Sequence, residues 1–271
     1  MSTTLGWTCF AVVSLLLLMW CANRMLYYPA KYPAGDWSAQ QALGAMDVVL
    51  NAADGTKLHA WWIEAPQQAA PRIVTLHLHG NAGNITYRGV SARNILLAGS
   101  SVLLLDYRGY GKSAGSPAEA GLYQDAEAAY DWILSQGYTP KQIVIHGESL
   151  GTAVAMHLAT RRKSAGLVLE APFTSASAVA GKVVPFLGPL LVSGYNSLGK
   201  IRSVGVPVLI VHGDHDEVIA YEFGQQLFEA ANEPKIFWTI PGATHNDLHM
   251  RGGAEFAARL RAFYRSLPSP M

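Results

Sequence analysis

Two serines of the chain occupy the pattern G-x-S-x-G: Ser113 in Gly111-Lys112-Ser113-Ala114-Gly115 and Ser149 in Gly147-Glu148-Ser149-Leu150-Gly151. The flanking glycines let a strand and a helix cross closely at a sharply turned serine, which presents the hydroxyl as a nucleophile. Such a turn needs a strand running straight in and a helix running straight out. Ser149 follows the strand-like run Ile143-Val144-Ile145-His146-Gly147 and precedes an amphipathic stretch rich in small residues, Leu150 to Arg162. Ser113 lies instead in Asp106 to Pro117, where turn chemistry continues until Ser116 and Pro117 open a helix as N-cap and first residue. Ser149 is therefore read as the nucleophile and Ser113 as a loop residue. Gly111-Lys112-Ser113 also mimics the end of a phosphate-binding loop, but the glycine required five residues earlier is Asp106, so no nucleotide is implied.

A serine hydroxyl is a weak nucleophile near neutral pH and needs a general base that is itself oriented by an acid. Two loops offer both, His212-Gly213-Asp214-His215-Asp216-Glu217-Val218 and Pro241-Gly242-Ala243-Thr244-His245-Asn246-Asp247. Each follows a strand-like run, the place where functional groups gather in a parallel sheet. Their order along the chain is serine, acid, histidine.

The elements that must position these groups alternate from about Met46 onward. Strand candidates are 46–50, 58–63, 73–79, 102–107, 143–147, 166–171, 206–213 and 236–240, and helical patterns fall at 87–98, 117–136, 150–162, 220–231 and 253–266. Ala53-Asp54-Gly55 makes the first two strands a hairpin. The alternation predicts one α/β domain with an eight-stranded, mostly parallel sheet covered by helices on both faces. One segment breaks the rhythm. Residues 171–199 hold a single charge, Lys182, and Pro185 and Pro189 prevent one continuous helix. This stretch reads either as an ordinary packed connection or as a small apolar cap over a substrate pocket.

The motifs GESLG, HGDHDEV and GATHND resemble the three catalytic motifs of the α/β-hydrolase superfamily. His79-Gly80-Asn81-Ala82-Gly83-Asn84, Asp106-Tyr107-Arg108-Gly109-Tyr110-Gly111 and Leu26-Tyr27-Tyr28-Pro29 behind an apolar N-terminus are similar to a membrane-anchored branch of it. That branch includes lysophospholipases, protein depalmitoylases and bacterial serine hydrolases. The resemblance implies Ser149 as nucleophile, His245 as base and Asp216 as the acid, with the backbone N–H groups of Leu150 and Asn81 forming an oxyanion hole. Asp214 and Glu217 are then solvated loop charges, and His249 is not the base. The implied reaction is hydrolysis of carboxylic esters or thioesters through an acyl-enzyme. The alternatives are a serine peptidase with the same triad, or a hydrolase-fold module that binds a membrane partner without catalysis.

Other polar residues have structural readings. His77, His79, His146 and His212 stand at strand ends within reach of loops, Asp106 and Arg108 pin loop backbone, and Glu170 ends a strand. Asn84-Ile85-Thr86 matches a glycosylation sequon but lies in the proposed oxyanion loop, so it is expected to stay unmodified. Glu148 is assigned no role. No metal-ligand spacing is present, and no cofactor is implied.

The composition bounds the remaining possibilities. Only 14% of the 271 residues are charged and the net charge is +1, which excludes a disordered chain and gives nucleic acid no basic surface to bind. Both cysteines, Cys9 and Cys21, precede residue 24, so no thiol chemistry is available in the body. Every Asp, Glu, Lys and Arg lies beyond Asn23. Leu5 to Ala22 is an uncharged stretch of about 27 Å if helical, close to the thickness of a bilayer core, with Trp7, Trp20, Tyr27 and Tyr28 placed as interfacial anchors. It is read as a single retained transmembrane helix, with residues 1–28 as anchor and juxtamembrane segment and 29–271 as the hydrolase domain. A cleaved signal peptide would want a basic start that Met1 to Thr4 lacks, and Trp20 sits where a lipoprotein signal before Cys21 has a small residue. The expected location is a membrane, crossed once. Arg24 and Lys31 are too few charges to fix the side of the membrane.

Overall fold

A computed structural model describes residues 14, 17–19, 21–65 and 72–268 of the chain. Among the described residues ten strands are present: β1 (Tyr28–Pro29), β2 (Met46–Asn51), β3 (Lys57–Ile63), β4 (Ile73–Leu78), β5 (Ala82–Gly83), β6 (Ser100–Asp106), β7 (Ile143–Glu148), β8 (Gly166–Glu170), β9 (Val208–Gly213) and β10 (Lys235–Ile240). Eight of them form one sheet in the order β10-β9-β8-β7-β4-β6-β3-β2. The β2–β3 and β3–β6 pairs are antiparallel and the rest are parallel, so the expected hairpin leads into a parallel sheet.

Among the described residues beyond Arg24 the α-helices are α1 (Ala39–Leu43), α2 (Gly89–Leu97), α3 (Glu119–Ser135), α4 (Leu150–Arg161), α5 (Ala176–Val183), α6 (Gly188–Leu191), α7 (Ser197–Ile201), α8 (Tyr221–Ala230) and α9 (Leu248–Ser266). Strand residues alternate between two cores because successive side chains point to opposite faces. Leu76, Leu103, Ile145, Leu167 and Ile210 pack toward α3, α4, α7 and α8. Val102, Leu104, Val144, Val168 and Leu209 pack toward α2 and α9. The central strands are buried throughout their length, which accounts for part of the low charge content.

The sequence-based boundaries differ from these by one or two residues in most elements. The last predicted helix, 253–266, matches the part of α9 after Gly253, whose φ of 50° separates it from a further helical turn beginning at Leu248 that the sequence reading does not include. The 171–199 segment folds as the short helices α5 and α6 plus the start of α7, with Pro185 between the first two and Pro189 at the start of α6. Leu5–Ala22, the expected transmembrane helix, lies largely outside the described residues. Among the described residues no helix is long and apolar enough to cross a membrane. Residues 21–24 are helical and lead directly into β1, which pairs in parallel with β5 beside the loop that follows β4.

Candidate active site

Ser149 stands between β7 and α4 with φ 51° and ψ −116°, a conformation that a non-glycine residue adopts only under constraint from its surroundings. The constraint comes from the crossing backbones. A Cβ on Gly147 would collide with the Gly151 carbonyl, and one on Gly151 would collide with the Leu78 carbonyl at the end of β4. Only glycine on each side lets the strand end, the helix start and β4 approach this closely. Ser149 N donates to the Glu170 carbonyl at 2.8 Å, which ties the turn to the end of β8. Ser113, by contrast, is a buried loop pin: its hydroxyl donates to the Asp106 carbonyl at 2.7 Å and accepts from His59 N at 2.8 Å.

The loops after β9 and β10 meet at this turn. His245 Nε2 lies 3.0 Å from Ser149 Oγ, and His245 Nδ1 lies 2.8 Å from Asp216 Oδ2. Asp216 Oδ1 accepts from the backbone N–H groups of Val218 and Ile219 at 2.9 and 2.7 Å, which fixes the carboxylate's orientation. Burial opposes its ionisation, but the hydrogen bonds from His212 and His245 outweigh that and hold the carboxyl well below the usual carboxylate range. The arrangement is a hydrogen-bonded line from hydroxyl to imidazole to carboxylate.

The neighbouring acids sit elsewhere. Asp214 accepts from Gly242 N and His215 at the surface, and exposed Glu217 accepts from His245 N at 3.4 Å. His249 does not reach Ser149. Its Nε2 lies 3.0 Å from Glu170 Oε2 and 2.9 Å from Ser91 Oγ, and Asn94 lies 3.0 Å from its Nδ1.

Asn81, Ser149 and Leu150 line one cavity of about 380 Å³. Asn81 follows β4 and is held by three contacts: its side chain donates to Leu26 O at 3.2 Å, and its carbonyl accepts from Tyr28 N at 3.0 Å and Tyr110 Oη at 2.8 Å. Leu150 is the first residue of α4, so its N–H is one of the donors a helix leaves unmatched at its start. The cavity walls are otherwise apolar. Phe173, Val179, Ala180, Val184 and Leu191 come from the 171–199 segment, and Ala22, Met25 and Leu26 come from the N-terminal segment. The sequence gives no hint that residues before β1 form a wall of the site. A second cavity of about 200 Å³ lies beside His245 and is lined by Arg88, Glu148, Glu170 and His249. The site therefore has an apolar chamber at the serine and a polar one at the histidine.

Several polar residues have partners that sequence reading does not supply. Arg88 Nε lies 2.8 Å from Glu148 Oε2 and its Nη2 donates to the Ala82 carbonyl at 3.0 Å, so Glu148 is engaged rather than idle. Glu170 does more than end a strand, since its carboxylate is buried between His146 at 2.6 Å and His249 at 3.0 Å. Burial opposes the charge on both Glu170 and His249, yet their mutual attraction lowers the carboxyl and raises the imidazolium. His79 and His212 bond loop carbonyls as expected, whereas both ring nitrogens of His77 lack a partner and burial pushes its pKa well down. Asp106 accepts from Ile85 N, but Arg108 grips side chains, Asp125 on α3 and Asp54 in the hairpin turn. Asn84 is fully buried and donates to Ala30 O and Ala34 O, which leaves its amide inaccessible for glycosylation. Among the described residues no cluster of three or more His, Cys, Asp or Glu side chains is placed to hold a metal ion.

Comparison with known proteins places this geometry in a family. Residues 69–199 match the family model Hydrolase_4, described as serine aminopeptidase, S33. The uncharacterized protein Rv2307c of Mycobacterium tuberculosis is 37% identical over 252 residues, covering 92% of this chain and 89% of that one. Alpha/beta hydrolase domain-containing protein 17B of Homo sapiens is 35% identical over 198 residues, 69% of this chain and 65% of its own. The solved Pyrococcus furiosus esterase Pf2001 shares the fold with a TM-score of 0.73 at 22% identity, covering 89% of this chain and 98% of that one. The chain belongs to the α/β-hydrolase superfamily, and the family match and the human relative support hydrolase activity in general.

Proposed function

We propose that the protein is a membrane-anchored serine hydrolase that cleaves carboxylic esters or thioesters of acyl chains. The observation that carries this reading is the line Ser149–His245–Asp216, with separations of 3.0 and 2.8 Å, at the wall of an apolar cavity. His245 Nε2 takes the Ser149 proton as Oγ attacks the acyl carbonyl carbon, and Asp216 orients and stabilises the imidazolium. The Leu150 and Asn81 backbone amides receive the oxyanion. Collapse breaks the bond to the leaving oxygen or sulfur, which departs with the proton from His245. Water then attacks the acyl-enzyme and gives a proton to His245, which passes it to Ser149 Oγ as the acyl–oxygen bond breaks and the acid is released.

The two chambers suit the two halves of such a substrate. The apolar cavity receives the acyl chain, and the polar one on the His245 side receives the leaving group that His245 protonates. The anchor is the uncharged stretch Leu5 to Ala22, long enough in helical form for a bilayer core.

A series of nitrophenyl esters of increasing acyl length tests the reading. Burial of each methylene is worth about 0.8 kcal/mol, so kcat/KM is expected to rise by about fourfold per carbon until the cavity is full. A sharp preference for acetyl over octanoyl would contradict it. The description of the matching family model favours one rival, a serine aminopeptidase, and cleavage of aminoacyl nitroanilides in preference to esters would favour that rival.

A further inference from the structure

The cap tip exposes an apolar surface that the hydrolytic reading does not use. Phe186 is 90% exposed, Leu190 68% and Leu187 60%, and Phe186 is held at φ 67° in the turn between α5 and α6. A positive φ is uncommon for an aromatic residue, and here it belongs to the turn that carries the ring into solvent. The patch adjoins the mouth of the apolar cavity, because Val183 and Met25 line that cavity and are also largely exposed. Contiguous exposed apolar surface of this kind marks an interaction site.

Two observations say what covers it. First, the uncharged N-terminal stretch arrives at this place. Asn23 Nδ2 donates to the Leu191 carbonyl at 3.1 Å and Asn23 Oδ1 accepts from Ser193 N at 3.2 Å, so the end of that stretch is pinned to the cap. Leu17 and Leu18 just before it are also mostly exposed. Whatever apolar medium holds residues 5–22 therefore meets the cap as well. Second, residues 171–199 contain one cation, Lys182, and no acidic residue, a balance compatible with anionic lipid headgroups.

We infer that the tip of the cap, Phe186, Leu187 and Leu190, is seated in the lipid surface, so that the cavity mouth opens at the bilayer and acyl chains enter without crossing water. This goes beyond the proposed function, on which it rests for the placement of the N-terminal stretch and for the acyl chain that enters the cavity, while the labels at 186 and 141 read the seating of the cap whether or not esters are cleaved. The seating depth expected of such an element is about 5–10 Å, at the boundary of headgroups and acyl chains.

The test uses the full chain with Cys9→Ser and Cys21→Ser, carrying Phe186→Cys labelled with an environment-sensitive fluorophore and reconstituted into phosphatidylcholine/phosphatidylglycerol vesicles. A second label at Lys141→Cys reports the far end of the sheet, in the turn before β7. Flotation of the protein with the vesicles reports the anchor separately. The inference expects blue-shifted emission at 186 that is quenched by nitroxides near the top of the lipid chains and protected from aqueous iodide, with none of these effects at 141. Floating protein whose 186 label is quenched by iodide alone overturns the cap inference and leaves the anchor standing. A 186 label shielded from both quenchers overturns it in favour of a protein partner or second copy, and protein that does not float overturns anchor and cap together. A second arm uses Phe186→Ser with Leu190→Ser, exposed positions that do not line the cavity. Turnover of a vesicle-borne long-chain ester is expected to fall at least about tenfold, the effect of withdrawing one large apolar side chain, with hydrolysis of a water-soluble acetyl ester unchanged. Equal turnover of the vesicle-borne ester would overturn the inference.

Discussion

Arg88 Nε lies 2.8 Å from Glu148 Oε2, and the same guanidinium donates to the Ala82 carbonyl at 3.0 Å. One side chain thus joins the residue before Ser149 to the residue after Asn81, the two segments that carry the proposed oxyanion donors. Gly80 lies between them, where a Cβ would stand 3.1 Å from Glu148 Oε1 and 3.3 Å from the Ser149 Cβ. A geometric error of about 1 Å at a reacting centre costs on the order of 10²-fold in rate. Arg88→Met is therefore expected to lower kcat by about 10- to 100-fold with KM little changed, as measured by steady-state ester hydrolysis. A rise in KM at constant kcat would instead assign Arg88 to substrate binding.

Asp216 is the carboxylate hydrogen-bonded to the His245 imidazole, whereas Asp214 bonds His215 and Gly242 N and Glu217 accepts from the His245 backbone N–H. Asp216→Asn removes the acceptor that fixes the His245 tautomer and is expected to reduce kcat by about 10³- to 10⁴-fold. The fold should persist, which near-ultraviolet circular dichroism checks. A loss of under tenfold would mean that His245 is oriented by another group.

The acyl chamber can be shortened from the cap. Val179 lines the cavity from α5, and Val179→Trp fills space that a long chain needs. Octanoyl ester hydrolysis is expected to fall by about tenfold or more while acetyl ester hydrolysis holds, because several methylenes at about 0.8 kcal/mol each lose their burial. Parallel losses on both esters would place the acyl chain elsewhere.

The His249–Glu170 pair, whose carboxylate is buried, gives stability a pH signature. His249 is raised above its ordinary value, so its contribution is complete below the usual histidine range near 6.5 and is lost as pH rises through the raised value. Glu170 is lowered, so its contribution is complete above the usual glutamate range near 4.3 and is lost as pH falls through the lowered value. The pair therefore stabilises most between those ordinary values. In urea unfolding, the stability difference between wild type and His249→Asn should be largest near pH 5–6 and shrink at alkaline pH. A difference that grows with pH would contradict the charged pair.

What the sequence makes legible follows from what is local. The eight sheet strands, the crossing at Ser149 and the loops bearing Asp216 and His245 all rest on short patterns: β-branched runs, flanking glycines and turn chemistry. The wall contributed by Ala22, Met25 and Leu26 is not legible, because it depends on the pairing of β1 with β5, which brings the chain before β1 against the site. Arg88 and Glu148 are 60 residues apart and meet only because the loop after β4 and the end of β7 share one edge of the site. Glu170, His146 and His249 are likewise brought together by strand alternation toward α9, a long-range consequence that leaves no motif behind.

Whether Ser149 is an activated nucleophile is read most directly by intact-mass measurement after treatment with a fluorophosphonate probe. One adduct is expected on the wild-type chain, mapped by digestion to the peptide containing Ser149, and none on Ser149→Ala. An unmodified wild type under conditions that label other serine hydrolases, or an adduct that survives in Ser149→Ala, would contradict that role.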